Sequence, residues 1–92
     1  MRNYKTWEEY INSVELTPEL EAQIKYEKSL IDTLIKIRDE QHVSQRDLEE
    51  KCGIKQPQIA RIERMKSSPR VSTLISLLAP LGYTIKIVPI KK

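Results

Sequence analysis

Apolar residues recur at helical spacing from Leu20 onward. Leu20, Ile24, Leu30, Ile31, Leu34, Ile35 and Ile37 line one side of a helix until "DEQHVS" interrupts them. The pattern predicts a helix over about 18–41, with Thr17 as N-cap, Pro18 at the first helical position, and Glu19 and Glu21 at the positive end of its dipole. A shorter helix is expected before it, where Thr6 and Glu9 have capping-box spacing and Trp7, Tyr10, Ile11 and Val14 share a side. Beyond the interruption, Ser44 and Asp47 open a helix through Lys51, and Gly53 follows where a left-handed C-cap is wanted. A further helix starts near Gln56 or Pro57 and runs to about Arg64. Ser72 then caps a helix of about 73–80, with Leu74, Ile75, Leu77 and Leu78 as its apolar positions and Pro80 and Gly82 marking its end.

After Gly82 the period changes from helical to alternating. In "YTIKIVPI", Tyr83, Ile85 and Ile87 alternate with Thr84, Lys86 and Val88, which predicts one strand over about 83–88. No other segment offers a second strand, and a lone strand cannot satisfy its own backbone. Two readings stand. Two copies pair antiparallel across a two-fold axis, burying Tyr83, Ile85 and Ile87 in a homodimer, or the strand lies on its own domain. The expected architecture is mainly α: an N-terminal helical extension over 1–28, a helical domain over 29–82, and a terminal strand and tail over 83–92.

Charge sharpens this division. Residues 1–50 hold seven Lys or Arg against twelve Asp or Glu, whereas residues 51–92 hold nine Lys or Arg against the single acid Glu63. The basic half suits phosphate, and the acidic half suits a basic protein. With no Phe, one Trp and four Tyr among 92 residues, the core must be built from aliphatic side chains, as in a small globular domain.

The segment "VSQRDLEEKCGIKQPQIARIE", residues 43–63, joins two short helices through a tight turn at Gly53. Leu48, Ile54, Ile59 and Ile62 supply apolar faces that let the helices pack at a steep angle. Because a residue before proline is pushed out of the helical region, Gln56 is expected to be the N-cap, with Pro57 at the first helical position. Lys55, Gln58 and Arg61 then lie opposite Ile59 and Ile62, on the face a DNA major groove would meet. There Gln can pair with adenine and Arg with guanine. Lys66 and Arg70, in the following loop, are expected to anchor phosphates, although a solvated basic loop would look the same.

This segment resembles the lambda-repressor-like (XRE) helix-turn-helix family, whose pattern runs V-S-Q-x-x-L-A-x-x-x-G-V-x-x-x-x-I-x-x-I-E. Val43, Ser44, Gln45, Leu48, Gly53, Ile54, Ile59, Ile62 and Glu63 match it in one gapless register. The resemblance implies a phosphate contact from Gln45 and a structural pair between Arg38 and Glu63. Together with the exposed face and the basic loop, this makes Gln45, Lys55, Gln56, Gln58, Arg61, Lys66 and Arg70 the expected DNA contacts. Glu49 departs from the pattern, because the family has Ala there; a carboxylate at that position swings out to solvent or changes the crossing of the helices. The family glycine after the second helix is also missing, with Met65 near its place.

Nearly the whole chain, including the ending "LGYTIKIVPI", is similar to the HigA group of antitoxins. That resemblance implies neutralisation of a basic RelE-like mRNA endonuclease and repression at operator DNA. Trp7, Glu8, Tyr10, Ile11 and Glu15 are then expected to hold the toxin, the alternative being that Trp7 and Tyr10 pad the chain's own core. A stand-alone repressor of phage type, without a toxin, is the competing expectation.

Other chemistry has little to stand on. His42 lacks a second His, Cys or carboxylate at ligand spacing, and Cys52 sits at a mostly apolar position, so neither metal binding nor catalysis is expected. No cofactor is expected. A lone cysteine and the absence of any long apolar run fit a cytoplasmic protein without a membrane span.

Overall fold

The computed structural model describes Glu9 and residues 17–90. The expected first helix, and with it Trp7, Glu8, Tyr10, Ile11 and Glu15, lies outside the described residues except for Glu9.

The long helix α1 spans Pro18–Glu40. Its start is fixed as the sequence indicates: Thr17 Oγ1 accepts the Leu20 N–H at 3.1 Å, and Pro18 occupies the first turn, where its missing N–H leaves nothing unpaired. Ile31, Leu34 and Ile37 form its buried stripe, so only the second half of α1 reaches the core. The chain leaves α1 through His42, which takes the left-handed conformation (φ +57°) that a non-glycine residue adopts at some cost.

Helix α2, Gln45–Cys52, carries the expected capping box. Ser44 Oγ accepts the Asp47 N–H, and Asp47 Oδ2 accepts the Ser44 N–H, both at 3.0 Å. The Ser44 backbone N–H, and after it the Ser44 side chain, hold the Asp47 carboxyl below its ordinary value. Gly53 ends α2 at φ +80°, which is where a side chain would strain the turn. Helix α3 spans Gln56–Glu63 and helix α4 spans Val71–Leu78. Pro80 has no N–H to continue the ladder, so α4 tightens into a 3-10 turn, Ala79–Leu81, and Gly82 (φ +89°) turns the chain away.

The four helices close around Leu34, Leu48, Ile59, Ile62 and Leu77, which are all but inaccessible to solvent. Each helix supplies at least one of these five, so removing any helix opens the same core. Ile54, in the turn, packs on its edge and is only partly buried. Gln41 Nε2 ties the end of α1 to the 3-10 turn by donating to the Leu81 carbonyl at 2.8 Å.

Two expectations need correction. Helix α4 starts before Ser72: Arg70 is the N-cap, without a side-chain hydrogen bond, because its carbonyl already accepts the Leu74 N–H at 3.0 Å. Ser72 lies inside the first turn, and its carbonyl accepts the Ser76 hydroxyl at 3.0 Å. The predicted strand is absent, since residues 83–90 carry no regular secondary structure. The described residues of one chain offer no second strand, so no ladder forms among them. Within the tail, Ile85 packs against the core, whereas Tyr83 is half exposed and Ile87 is 97% exposed. Residues 86–90 pass beside Tyr26 of α1.

Candidate nucleic-acid interface

Helices α2 and α3, with the Gly53 turn between them, form the helix-turn-helix. One hydrogen-bonded chain of side chains fixes α3 against the rest of the fold. Arg38, near the end of α1, grips Glu63 at the end of α3 through two bonds of 2.8 Å, Nε to Oε2 and Nη2 to Oε1. Its Nη1 also donates to the Val43 carbonyl at 2.9 Å. The side chains of Arg38 and Glu63 are only 12% and 6% exposed, and the hydrogen bond to Glu63 is the main reason the guanidinium holds its proton more tightly than usual. The structural pair expected from the sequence is therefore present.

Gln45 continues the chain. Its Nε2 donates to Glu63 Oε1 at 2.9 Å, and its Oε1 accepts Gln56 Nε2 at 2.7 Å. These bonds occupy one amide hydrogen of each glutamine and leave the second available to a phosphate or a base. Both side chains are thereby aimed before any ligand arrives.

The start of α3 differs from the sequence expectation. Lys55 is the N-cap, Gln56 the first helical residue and Pro57 the second. The ladder begins at Lys55, whose carbonyl accepts the N–H groups of Gln58 and Ile59 at 2.9 and 3.1 Å. Lys55 has no side-chain acceptor with which to cap the helix. Glu49 does it instead, from α2: its Oε1 accepts the Gln56 N–H at 2.6 Å. The residue that breaks the family pattern thus does not swing out to solvent but bonds the start of α3. The bonds to Glu49 and Gln45 hold Gln56 in the helical conformation that a following proline disfavours.

Along α3, Ile59, Ala60 and Ile62 are buried, while Pro57, Gln58 and Arg61 form the exposed arc. Arg64, the C-cap residue, is exposed and continues this arc at the next helical step. It was not among the sequence candidates, although its spacing of three from Arg61 was a usable signal. Lys55 is exposed just before the arc. Arg46, also exposed and also missed, lines a cleft between α2 and α3 with Glu49, Glu50, Gln56 and Pro57.

Lys66 and Arg70 stand off α3, in the loop that leaves it and at the cap of α4. That loop leaves through Met65, which adopts φ +59° where the family pattern has glycine, so the left-handed exit is kept without the glycine. Ser68 then ties the loop to α1 by donating to Glu27 Oε1 at 2.7 Å.

A helix-turn-helix family model (HTH_3) matches residues 34–88, which is more than half of the chain and includes the whole relay from Arg38 to Glu63. The chain belongs to the helix-turn-helix family. Members of this family are DNA-binding regulators rather than enzymes. A Haemophilus influenzae protein described as an uncharacterized HTH-type transcriptional regulator is 49% identical to this helix-turn-helix chain over 63 residues, or 68% of this chain and 64% of that relative. The match therefore spans a little under two thirds of the relative's length. A solved structure described as a toxin–antitoxin module from Streptococcus pneumoniae is similar over 98% of this chain and 96% of its own, with 33% identity and a TM-score of 0.67.

Among the described residues of the helix-turn-helix chain, no group of three His, Cys, Asp or Glu is placed to hold a metal. No helix among them is long and apolar enough to cross a membrane.

Proposed function

We propose that this protein is the antitoxin of a HigA-type toxin–antitoxin pair: it binds a basic RelE-like mRNA endonuclease and represses its own operon as a homodimer in the cytoplasm. The observation that carries this reading is the likeness of almost the entire chain, beyond the family segment, to a toxin–antitoxin module. The charge division supports it. Residues 1–50 carry the acidic excess that a basic RNA-handling partner requires, and residues 51–92 the basic excess that DNA requires. In this reading Trp7, Glu8, Tyr10, Ile11 and Glu15 contact the toxin, and Gln45, Lys55, Gln56, Gln58, Arg61, Lys66 and Arg70 contact the operator, joined by Arg64.

Co-expression with the adjacent reading frame tests the toxin half. A small basic protein is expected to co-purify in a stable complex and to arrest growth when expressed alone. A harmless neighbour that does not co-purify would leave the stand-alone repressor, the reading favoured by the similarity to a transcriptional regulator.

The dimer half rests on the tail. One reading helix covers too few base pairs for useful specificity, so paired half-sites are required. Tyr83 and Ile87 are exposed, as are Val88 and Ile90, and a second copy aligned antiparallel supplies a partner strand that is missing among the described residues of one chain. Ile87→Lys, at a side chain exposed in the single chain, should convert a dimer to a folded monomer in light scattering. A persistent dimer would place the interface elsewhere.

A further inference from the structure

The first turn of α3 has a complete account of its donors. Pro57 has no N–H, the N–H groups of Gln58 and Ile59 bond to the Lys55 carbonyl, and the Gln56 N–H bonds to Glu49. A helix ordinarily leaves its first donors to a cap residue, and here the cap position holds a lysine that cannot accept. The acceptor comes from the neighbouring helix, and it is a carboxylate set at the positive end of the α3 dipole.

We propose that Glu49 is the positioning residue of the reading helix: its carboxylate caps α3 from α2 and fixes the place where Gln56 and Gln58 meet the bases. The proposal rests on the reading of α3 as the helix that enters the groove. Without Glu49, Gln56 loses one of its two bonds from α2 and keeps the side-chain bond to Gln45, and the tip of α3 loosens. A second consequence follows from charge. Glu49 shares its cleft with Glu50, Arg46, Gln56 and Pro57, so an acid stands beside the groups that approach DNA. It opposes phosphate wherever the helix is not seated on its preferred bases, which separates specific from random binding.

The test compares Glu49→Ala and Glu49→Gln with wild type on two probes, a duplex that the wild-type chain selects from a randomised pool and poly(dI-dC). In the free protein, the Gln56 amide proton should lose its low-field NMR shift in Glu49→Ala. Binding of that variant to the selected duplex should weaken about tenfold, while binding to poly(dI-dC) strengthens about twofold as one acid leaves the cleft. Glu49→Gln keeps an acceptor oxygen and should restore the amide signal, with affinity for the selected duplex within about threefold of wild type. An unmoved Gln56 amide in Glu49→Ala, or equal losses on both probes, would overturn the proposal. A wild-type chain that selects no sequence would remove the base-reading role of α3 itself, and this one with it.

Discussion

Arg38→Ala should cost the domain about 3 kcal/mol, the low end of the range for removing one partner of a buried, hydrogen-bonded ion pair, because this pair is part-buried. The loss exceeds that of an ordinary surface pair because Glu63 keeps only 6% of its side chain in water. The Val43 carbonyl loses its Arg38 donor in the same step, while Gln45 remains as a single neutral donor to the stranded carboxylate. Small domains have total stabilities of about 5–15 kcal/mol, so urea denaturation should show either a large fall in midpoint or a chain already unfolded at room temperature. Arg38→Met combined with Glu63→Leu removes both charges and should recover most of the loss. An unchanged midpoint for Arg38→Ala would mean that the pair contributes nothing to the fold.

The second large effect concerns recognition. Gln58→Ala and Arg61→Ala should each weaken binding to a selected duplex by about 1–3 kcal/mol, or roughly 5- to 150-fold, if each makes a bidentate base contact. Both side chains are exposed, so circular dichroism and thermal melting should be nearly unchanged. On random DNA, Gln58→Ala should have little effect and Arg61→Ala only that of one lost charge. Lys66→Ala and Arg70→Ala should behave differently, weakening every sequence alike and lowering the salt slope by about one each. Equal losses on selected and random duplexes from Gln58→Ala would rule out base reading by that residue.

What the sequence made legible was whatever depends on spacing along the chain. Ile31, Leu34 and Ile37 recur with the helical period and are buried; Gly53 sits at a turn that needs positive φ; Ser44 and Asp47 stand three apart and cap each other. The Arg38–Glu63 pair, 25 residues apart, was reached only through the family pattern, because nothing local joins the two. Glu49 was misjudged for a related reason. Its partner is a backbone N–H on another helix, and every residue but proline has one, so no residue type in the sequence advertises the bond. The proline rule misplaced the start of α3 because it ranks the local preference of Gln56 and omits the two bonds from α2 that override it. The strand is a different case: alternation reports that a segment can pair, and pairing needs a second segment that the described residues of a single copy do not supply. The residues proposed to face a toxin lie outside the described part of the structure, so the acidic excess before residue 51 is the physical argument for that proposal.

The length of α1 also matters for how the molecule opens. From Pro18 to Ser29 no side chain is fully buried, yet the same unbroken helix goes on to carry Ile31, Leu34 and Ile37 into the core. At about 1.5 Å per residue, those first twelve residues extend roughly 18 Å. An isolated helix of that length is marginal in water, so the outer turns derive their order from the inner ones. Protection of the backbone amides against solvent exchange should therefore rise steadily along one helix, from near none at Glu19 to that of the whole domain at Ile37. A protein that closes over the outer turns would flatten this gradient, and the amides of a single helix would then report both occupancy at one end and folding at the other.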